Sequence, residues 1–104
     1  MEENEANQQI NIELKEEIGQ GTYSNLAIIT HSSSEFVVDF VRIMPGLPKA
    51  EVKSRIILTP EHAKRLLMAL KDNVAKYEAA FGPVKVDQGP PTLPLTFGGP
   101  IAQA

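Results

Sequence analysis

The chain has 104 residues, enough for a single domain, and it has no cysteine, which excludes a disulfide or a thiolate metal site. Its formal net charge of −3, with both signs interspersed, gives no electrostatic footprint for nucleic acid. A domain this small buries only roughly 60% of the surface of its unfolded chain, so we expect self-association to supply further buried area.

The N-terminal segment is acidic and polar and has no apolar periodicity, which predicts disorder over residues 1–9. It lacks the basic stretch and apolar core of a secretory signal. No apolar run approaches the roughly 20 residues that cross a bilayer. We therefore expect a cytoplasmic protein with no membrane association.

Alternating apolar residues predict a first strand that begins near Ile10 and ends near Ile18, with one dry and one wet face. Gly19-Gln20-Gly21 then predicts a tight reversal. A second strand is predicted over 22–30. Its centre, Leu26-Ala27-Ile28-Ile29, is apolar on both parities and so should be covered on two faces.

The third predicted strand, over 35–44, follows a serine-rich turn and is also apolar on both parities. One parity carries Phe36, Val38 and Phe40. Asp39 lies on the other parity, where an unpaired charge would be costly to bury. It has two interpretations: a cross-strand ion pair with Arg55 or Lys53, or a recognition point for a basic group on a partner.

Prolines at 45 and 48 end that strand, and a fourth is predicted over 50–58. Signals for a helix of about 22 residues follow, because Thr59 suits an N-cap, Pro60 the first helical position and Gly82 the stop. An apolar stripe at spacings of three and four runs along this helix. Its members are Ala63, Leu66, Leu67, Leu70, Val74, Tyr77 and Phe81. The helix is longer than a typical strand, so we expect its far end to overhang the sheet and meet a partner.

Residues 83–104 are rich in proline and glycine, and they keep an alternating apolar set in Leu93, Leu95 and Phe97. One interpretation is a disordered tail. The other is an extended arm that docks on a partner by polyproline or strand addition.

Three patterns invite a chemical interpretation, and none is supported. Ile18 to Leu26 resembles the glycine-rich loop of a protein kinase, but neither the strand lysine nor the later catalytic motifs follow. The two histidines, His31 and His62, have no carboxylate at ligand spacing. The three serines at 32–34 have no recognisable base. We predict no catalytic residue, no metal site and no cofactor.

Several segments together resemble a bacterial family known only as domain of unknown function 3467, over roughly residues 10–82. These segments are Gly21-Thr22-Tyr23-Ser24-Asn25, Glu35-Phe36-Val37-Val38-Asp39-Phe40, Ile57 to Leu67, and Asn73, Tyr77-Glu78 and Phe81-Gly82. This resemblance implies a bacterial, cytosolic, non-catalytic protein.

The order of a strand meander followed by a helix is also similar, in topology alone, to the SecB-type export chaperones, which assemble as dimers of dimers.

The sequence therefore predicts an α+β domain over 10–82, a four-stranded antiparallel meander with one long C-terminal helix packed on one face, between the N-terminal segment and the tail. A second copy should cover the other face, as a dimer or dimer of dimers.

We expect a non-enzymatic interaction module, an adaptor, accessory subunit or chaperone-like binder. Its predicted contacts are Phe36, Val38, Asp39, Phe40, Leu93, Leu95 and Phe97. The alternative is a nucleic-acid-associated regulator that uses Lys49, Lys53, Arg55, Lys64 and Arg65.

Overall fold

The computed structural model describes residues 9–86. Its elements in chain order are α1 (Glu16–Gly19), β1 (Leu26–His31), β2 (Phe36–Arg42), β3 (Glu51–Leu58) and α2 (Pro60–Phe81). The strands form one antiparallel three-stranded sheet in the order β1-β2-β3. The α+β class and the single long C-terminal helix are confirmed, but within residues 9–86 the sheet has three strands and not four.

The predicted first strand is where sequence and structure differ. Residues 10–15 form no regular secondary structure, and the next residues form the one-turn helix α1, in which Ile18 N and Gly19 N both donate to Lys15 O. Two carboxylates in that turn, Glu16 and Glu17, favour a helix start. A strand also needs a neighbour to bond, and Ile10 and Ile12 are 87% and 92% exposed. The predicted hairpin is therefore absent, although Gly21 does adopt a positive φ of 81° in the reversal after α1.

Strand register assigns every sheet residue to one of two faces, because side chains alternate along a strand. The groove face carries Ala27, Ile29 and His31 of β1, Phe36, Val38 and Phe40 of β2, and Ser54, Ile56 and Leu58 of β3. The ion-pair face carries Leu26, Ile28 and Thr30, then Val37, Asp39 and Val41, then Val52, Arg55 and Ile57. Phe40 pairs with Ser54 and Val41 with Val52, so Lys53 is an extra residue that bulges on β3.

Side chains complete the sheet where the backbone ladder ends. Asn25 Nδ2 donates to Ile43 O, and Ile43 N donates to Asn25 Oδ1 at 2.9 Å, so this amide acts as one more ladder residue. Ser24 Oγ lies within hydrogen-bond distance of the carbonyl oxygens of Leu26 and Val41. At the opposite end Ser32 N donates to Glu35 O at 2.9 Å and closes the turn between β1 and β2.

The helix α2 is built by the local signals expected from the sequence. Thr59 is extended at the N-cap, its Oγ1 accepts a hydrogen bond from His62 N, and Pro60 is the first helical residue. At the other end Gly82 has φ 98°, and its N–H donates to Glu78 O. This backbone conformation is one that glycine adopts without strain, which explains why the helix ends there.

The interior of the described fold is small. Val38 and Val41, on opposite faces of β2, are its buried hydrophobic residues, and no residue of α2 is buried. Among the described elements the helix contacts β3, the strand that directly precedes it, far less closely than the strands contact one another. Within residues 9–86 no helix combines the length and the apolar content needed to cross a membrane.

Candidate functional site

An open apolar groove separates the first half of α2 from the groove face of the sheet. Its volume is about 500 Å³. The sheet contributes Ile29, Phe36, Val38 and Leu58, and the helix contributes Pro60, Ala63, Lys64, Leu66, Leu67 and Leu70. Lys64 supplies the one charged side chain of this lining, and a lysine can lay its aliphatic stem along apolar surface. The groove therefore offers hydrophobic contact and almost no polar chemistry.

The apolar stripe of α2 continues past the groove. α2 has 22 residues and is about 33 Å long, whereas the eight residues of β3 span about 26 Å. Beyond Leu70 the stripe contains Val74, Tyr77 and Phe81, which are exposed and do not line the groove. The rings of Tyr77 and Phe81 contact each other with their centroids 4.9 Å apart. The distal half of α2 thus presents a second apolar surface in line with the groove.

The opposite side of α2 is polar and satisfied by ion pairs within the helix. Arg65 and Glu61 lie 2.6 Å apart, and Lys76 and Asp72 lie 3.1 Å apart, both at i,i+4 spacing. Pairs of this kind are typical of a solvated helix face. The side of α2 that remains for another surface is the apolar stripe.

The ion-pair face is centred on Asp39, which is 1% exposed. Arg55 on β3 lies directly opposite it, and two of its nitrogens donate to the two carboxylate oxygens at 2.6 and 2.9 Å. The hydrogen bond to Asp39, and then its negative charge, raise the pKa of Arg55, so the pairing favours the charged guanidinium. Among the residues that the structure covers, no buried side-chain nitrogen or oxygen lacks a hydrogen-bond partner.

The predicted contact residues are split between the two faces. Phe36 and Val38 line the groove, and Phe40 is half-buried on the same face outside the lining. Asp39 lies on the other face and makes the predicted cross-strand pair, with Arg55 and not with Lys53. The remaining three, Leu93, Leu95 and Phe97, lie outside the described residues, as do residues 1–8 of the predicted N-terminal segment.

The comparison with protein-family models decides the family. The model described as "Protein of unknown function (DUF3467)" matches residues 1–86. The chain belongs to this family. The match spans the segment before the sheet, the sheet and α2, so all three are parts of one family unit. Comparison with curated proteins and with solved structures gives no match, and the topological likeness to SecB-type chaperones remains a prediction.

Both histidines have structural contacts. His31 stacks on Phe36 with ring centroids 5.3 Å apart, and His62 donates its backbone N–H to the helix cap. Across residues 9–86, no group of three or more histidine, cysteine, aspartate or glutamate side chains is placed to hold a metal ion.

Of the basic residues considered for nucleic acid, three pair with carboxylates. Arg55 binds Asp39, Lys53 lies 3.3 Å from Glu51, and Arg65 lies 2.6 Å from Glu61. In each pair the carboxylate offsets the positive charge with which the basic side chain would neutralise a phosphate and release its counterions. The nucleic-acid alternative stays a prediction.

Sequence reasoning missed two features of the site. The first is that the proximal stripe, around Leu66 and Leu70, faces an open groove and not a closed core, which periodicity cannot distinguish. The second is the role of Ser24 and Asn25, whose side chains extend the sheet. A signal for the second was present, since serine and asparagine just before a strand commonly bond nearby backbone.

Proposed function

We propose that this protein is a non-enzymatic protein-interaction module that acts as a homo-oligomer, with the groove and the α2 stripe as its contact surface. The observation that carries the proposal is the open groove of about 500 Å³, lined almost entirely by apolar side chains. Monomeric soluble proteins rarely expose a large contiguous apolar surface, and those that do commonly use it to bind.

The energetic argument concerns the exposed part of the stripe. Leu66, Leu67, Leu70, Val74, Tyr77 and Phe81 are each roughly half exposed or more. Fully burying one such side chain contributes about 1.5–3 kcal/mol, so covering these six contributes roughly 5–9 kcal/mol before the costs of association. A small sheet with two buried hydrophobic residues among its described positions gains much from that cover.

The shape of the surface favours a second copy as the first partner. In a two-fold pair the same patch meets itself, so the distal stripe of one helix can lie in the groove of the other, and the reverse. Val74, Tyr77 and Phe81 would then lie against residues such as Ile29 and Phe36. The exchange buries both halves of both stripes, which one chain alone leaves open.

The test compares two glutamate substitutions on α2, followed by sedimentation and light scattering. Leu70 lines the groove and is 57% exposed, whereas Met68 is 61% exposed and does not line it. We expect the wild type and Met68→Glu to be oligomeric. Leu70→Glu should weaken association by roughly 100-fold or more, because a carboxylate would have to be buried among apolar groups. Circular dichroism should show α2 retained in both variants.

Two results would contradict the proposal: a compact wild-type monomer at micromolar concentration, or equal losses in the two variants. A further measurement separates the chaperone-like role from the adaptor role. A reduced and alkylated unfolded protein is added to the oligomer, and binding that Leu70→Glu abolishes supports the chaperone-like role. If no binding occurs while the oligomer is intact, the adaptor role is favoured.

A further inference from the structure

The segment 10–14 and the outer edge of β1 are both left without a partner in the described fold. Ile10, Ile12 and Leu14 share one parity and are all exposed, and the residues between them are polar. This is the pattern of a half-buried strand. The segment precedes α1 and forms no ladder, so residues 9–86 contain a strand-forming sequence that pairs with no other described strand.

β1 is an edge strand, since the sheet order places β2 on one side of it and no strand of residues 9–86 on the other. Ser32 N bonds Glu35 O, and in an antiparallel ladder such bonded pairs alternate along the strand. Leu26, Ile28 and Thr30 therefore direct their backbone groups towards β2. Ala27, Ile29 and His31 direct theirs outward at the free edge.

This free edge lacks the features that usually protect one. Edge strands are commonly blunted by proline, by charged residues or by a bulge. β1 has the sequence Leu-Ala-Ile-Ile-Thr-His, with no proline and no lysine, arginine, aspartate or glutamate. The other edge, β3, carries the bulge at Lys53 together with Glu51 and Arg55. The sheet is thus open to strand addition on the β1 side.

We propose that residues 10–14 of one copy add as a fourth strand to the β1 edge of a second copy, and that the exchange is reciprocal. The exposure of Ile10 and Ile12 shows that they make almost no contact with the other described residues, so the described conformation leaves them accessible to a second copy. A two-fold operator satisfies both segments and both edges at once. The fourth strand expected from the sequence is then supplied in trans.

The side-chain pattern also selects which face the added strand extends. On the groove face the β1 residues Ala27, Ile29 and His31 are exposed, whereas Leu26, Ile28 and Thr30 on the ion-pair face are half-buried. The apolar side chains of the segment lie beside Ile29 on the groove face, where they cover the larger exposed surface. Their polar neighbours, among them Glu13, lie on the other face. This inference rests on the proposed homo-oligomer, but its backbone contacts lie at the β1 edge, next to the groove residue Ile29.

Residue-resolved amide hydrogen exchange of the full chain tests the inference. The amides of Ala27, Ile29 and His31 should exchange at least about tenfold more slowly at high than at low protein concentration, since their protection comes from a second copy. The amides of Leu26, Ile28 and Thr30 are the internal control, because β2 protects them at both concentrations.

Matched triple variants assign the effect to the segment. Changing Ile10, Ile12 and Leu14 to serine should remove the protection of the outer amides, which are those of Ala27, Ile29 and His31. The inner amides, which are those of Leu26, Ile28 and Thr30, should stay protected. The control variant changes Asn11, Glu13 and Lys15 to serine and should keep both. Because every altered residue is exposed, neither variant should unfold the domain.

The outcomes separate this inference from the proposed function. Free exchange of the outer amides in an oligomeric wild type overturns the strand exchange and leaves the groove contact standing. Protection of the outer amides that does not change with concentration also overturns it, in favour of a hairpin within one chain. Concentration-dependent protection that persists in Leu70→Glu supports the exchange even if the groove contact fails.

Discussion

The two faces of the sheet meet their physical requirements in opposite ways. The ion-pair face has its central charge paired within the chain: Asp39 is buried, and both of its carboxylate oxygens accept hydrogen bonds from Arg55. The groove face is lined by apolar side chains that α2 leaves uncovered. A buried charge must be paired for the folded chain to be stable, whereas exposed apolar surface can be buried by association with another molecule. The polar requirement is thus met within the chain, whereas apolar side chains of the groove face, such as Ile29 and Ile56, stay exposed.

The largest expected effect comes from breaking the ion pair on its exposed side. Arg55→Met leaves the carboxylate of Asp39 buried without a partner, and removing one member of a buried pair is strongly destabilising. We expect the Tm to fall by roughly 10 °C or more in thermal unfolding. Arg42→Met is the matched control, because Arg42 lies 3.8 Å from the exposed Glu51 and its loss should change the Tm little. Similar Tm losses in the two variants would show that the Asp39–Arg55 pair stabilises the fold no more than an exposed ion pair does.

The groove side is tested next by Phe81→Ser at the distal end of the stripe. Because Phe81 is exposed, the free energy of unfolding of the monomer should change little. Self-association should weaken by roughly 10- to 100-fold. Sedimentation at several concentrations measures the association, and urea unfolding of dilute protein measures the monomer. Ala80→Ser in the same turn is the control. A loss of monomer stability with unchanged association would reverse the contrast between the two faces.

Asp39→Asn, set against Arg55→Met, compares the destabilisation caused by losing each member of the ion pair. The side chain of Arg55 is 48% exposed, so its charge remains in contact with water when the carboxylate is gone. We expect a loss of about 1–2 kcal/mol in urea unfolding, and a smaller fall in Tm than Arg55→Met causes. The order of the two variants is the test. If Asp39→Asn destabilises more, Asp39 contributes more than its pairing with Arg55.

The smallest expected effect concerns the start of α2, which positions the groove. Thr59→Ala removes the hydroxyl that accepts from His62 N and should cost about 1 kcal/mol in urea unfolding. Thr59→Ser keeps an accepting oxygen and should restore most of that loss. Equal destabilisation by serine and alanine would mean that the hydroxyl is not the source of the stability.

The elements of this fold that sequence predicted well are those with local causes. α2 was placed from a capping threonine, a proline at the first position and a glycine stop, each of which acts within one helical turn. The pairing of Asp39 with a basic residue on the next strand was also predictable, because a mid-strand carboxylate between apolar neighbours requires one. Choosing Arg55 over Lys53 needed the register, since the bulge at Lys53 changes which residue lies opposite.

The predicted strand over 10–18 shows where local reasoning stops. The alternation of Ile10, Ile12 and Leu14 describes a segment that can pair but not whether an edge lies within reach. In the described fold the residues after it form a helical turn, and the segment stays unpaired. Its predicted role is therefore shifted from this chain's own hairpin to the exchange with a second copy.

By itself the sequence determined the α+β class, the long helix and the apolar content of both sheet and helix, because propensity, capping and periodicity are properties of neighbouring residues. Only the tertiary structure decided that an open groove lies between α2 and one face of the sheet, and that Asp39 lies on the opposite face. The reason is physical: periodicity states which side chains avoid water, but the distance between the surfaces they form is set by how the whole chain packs.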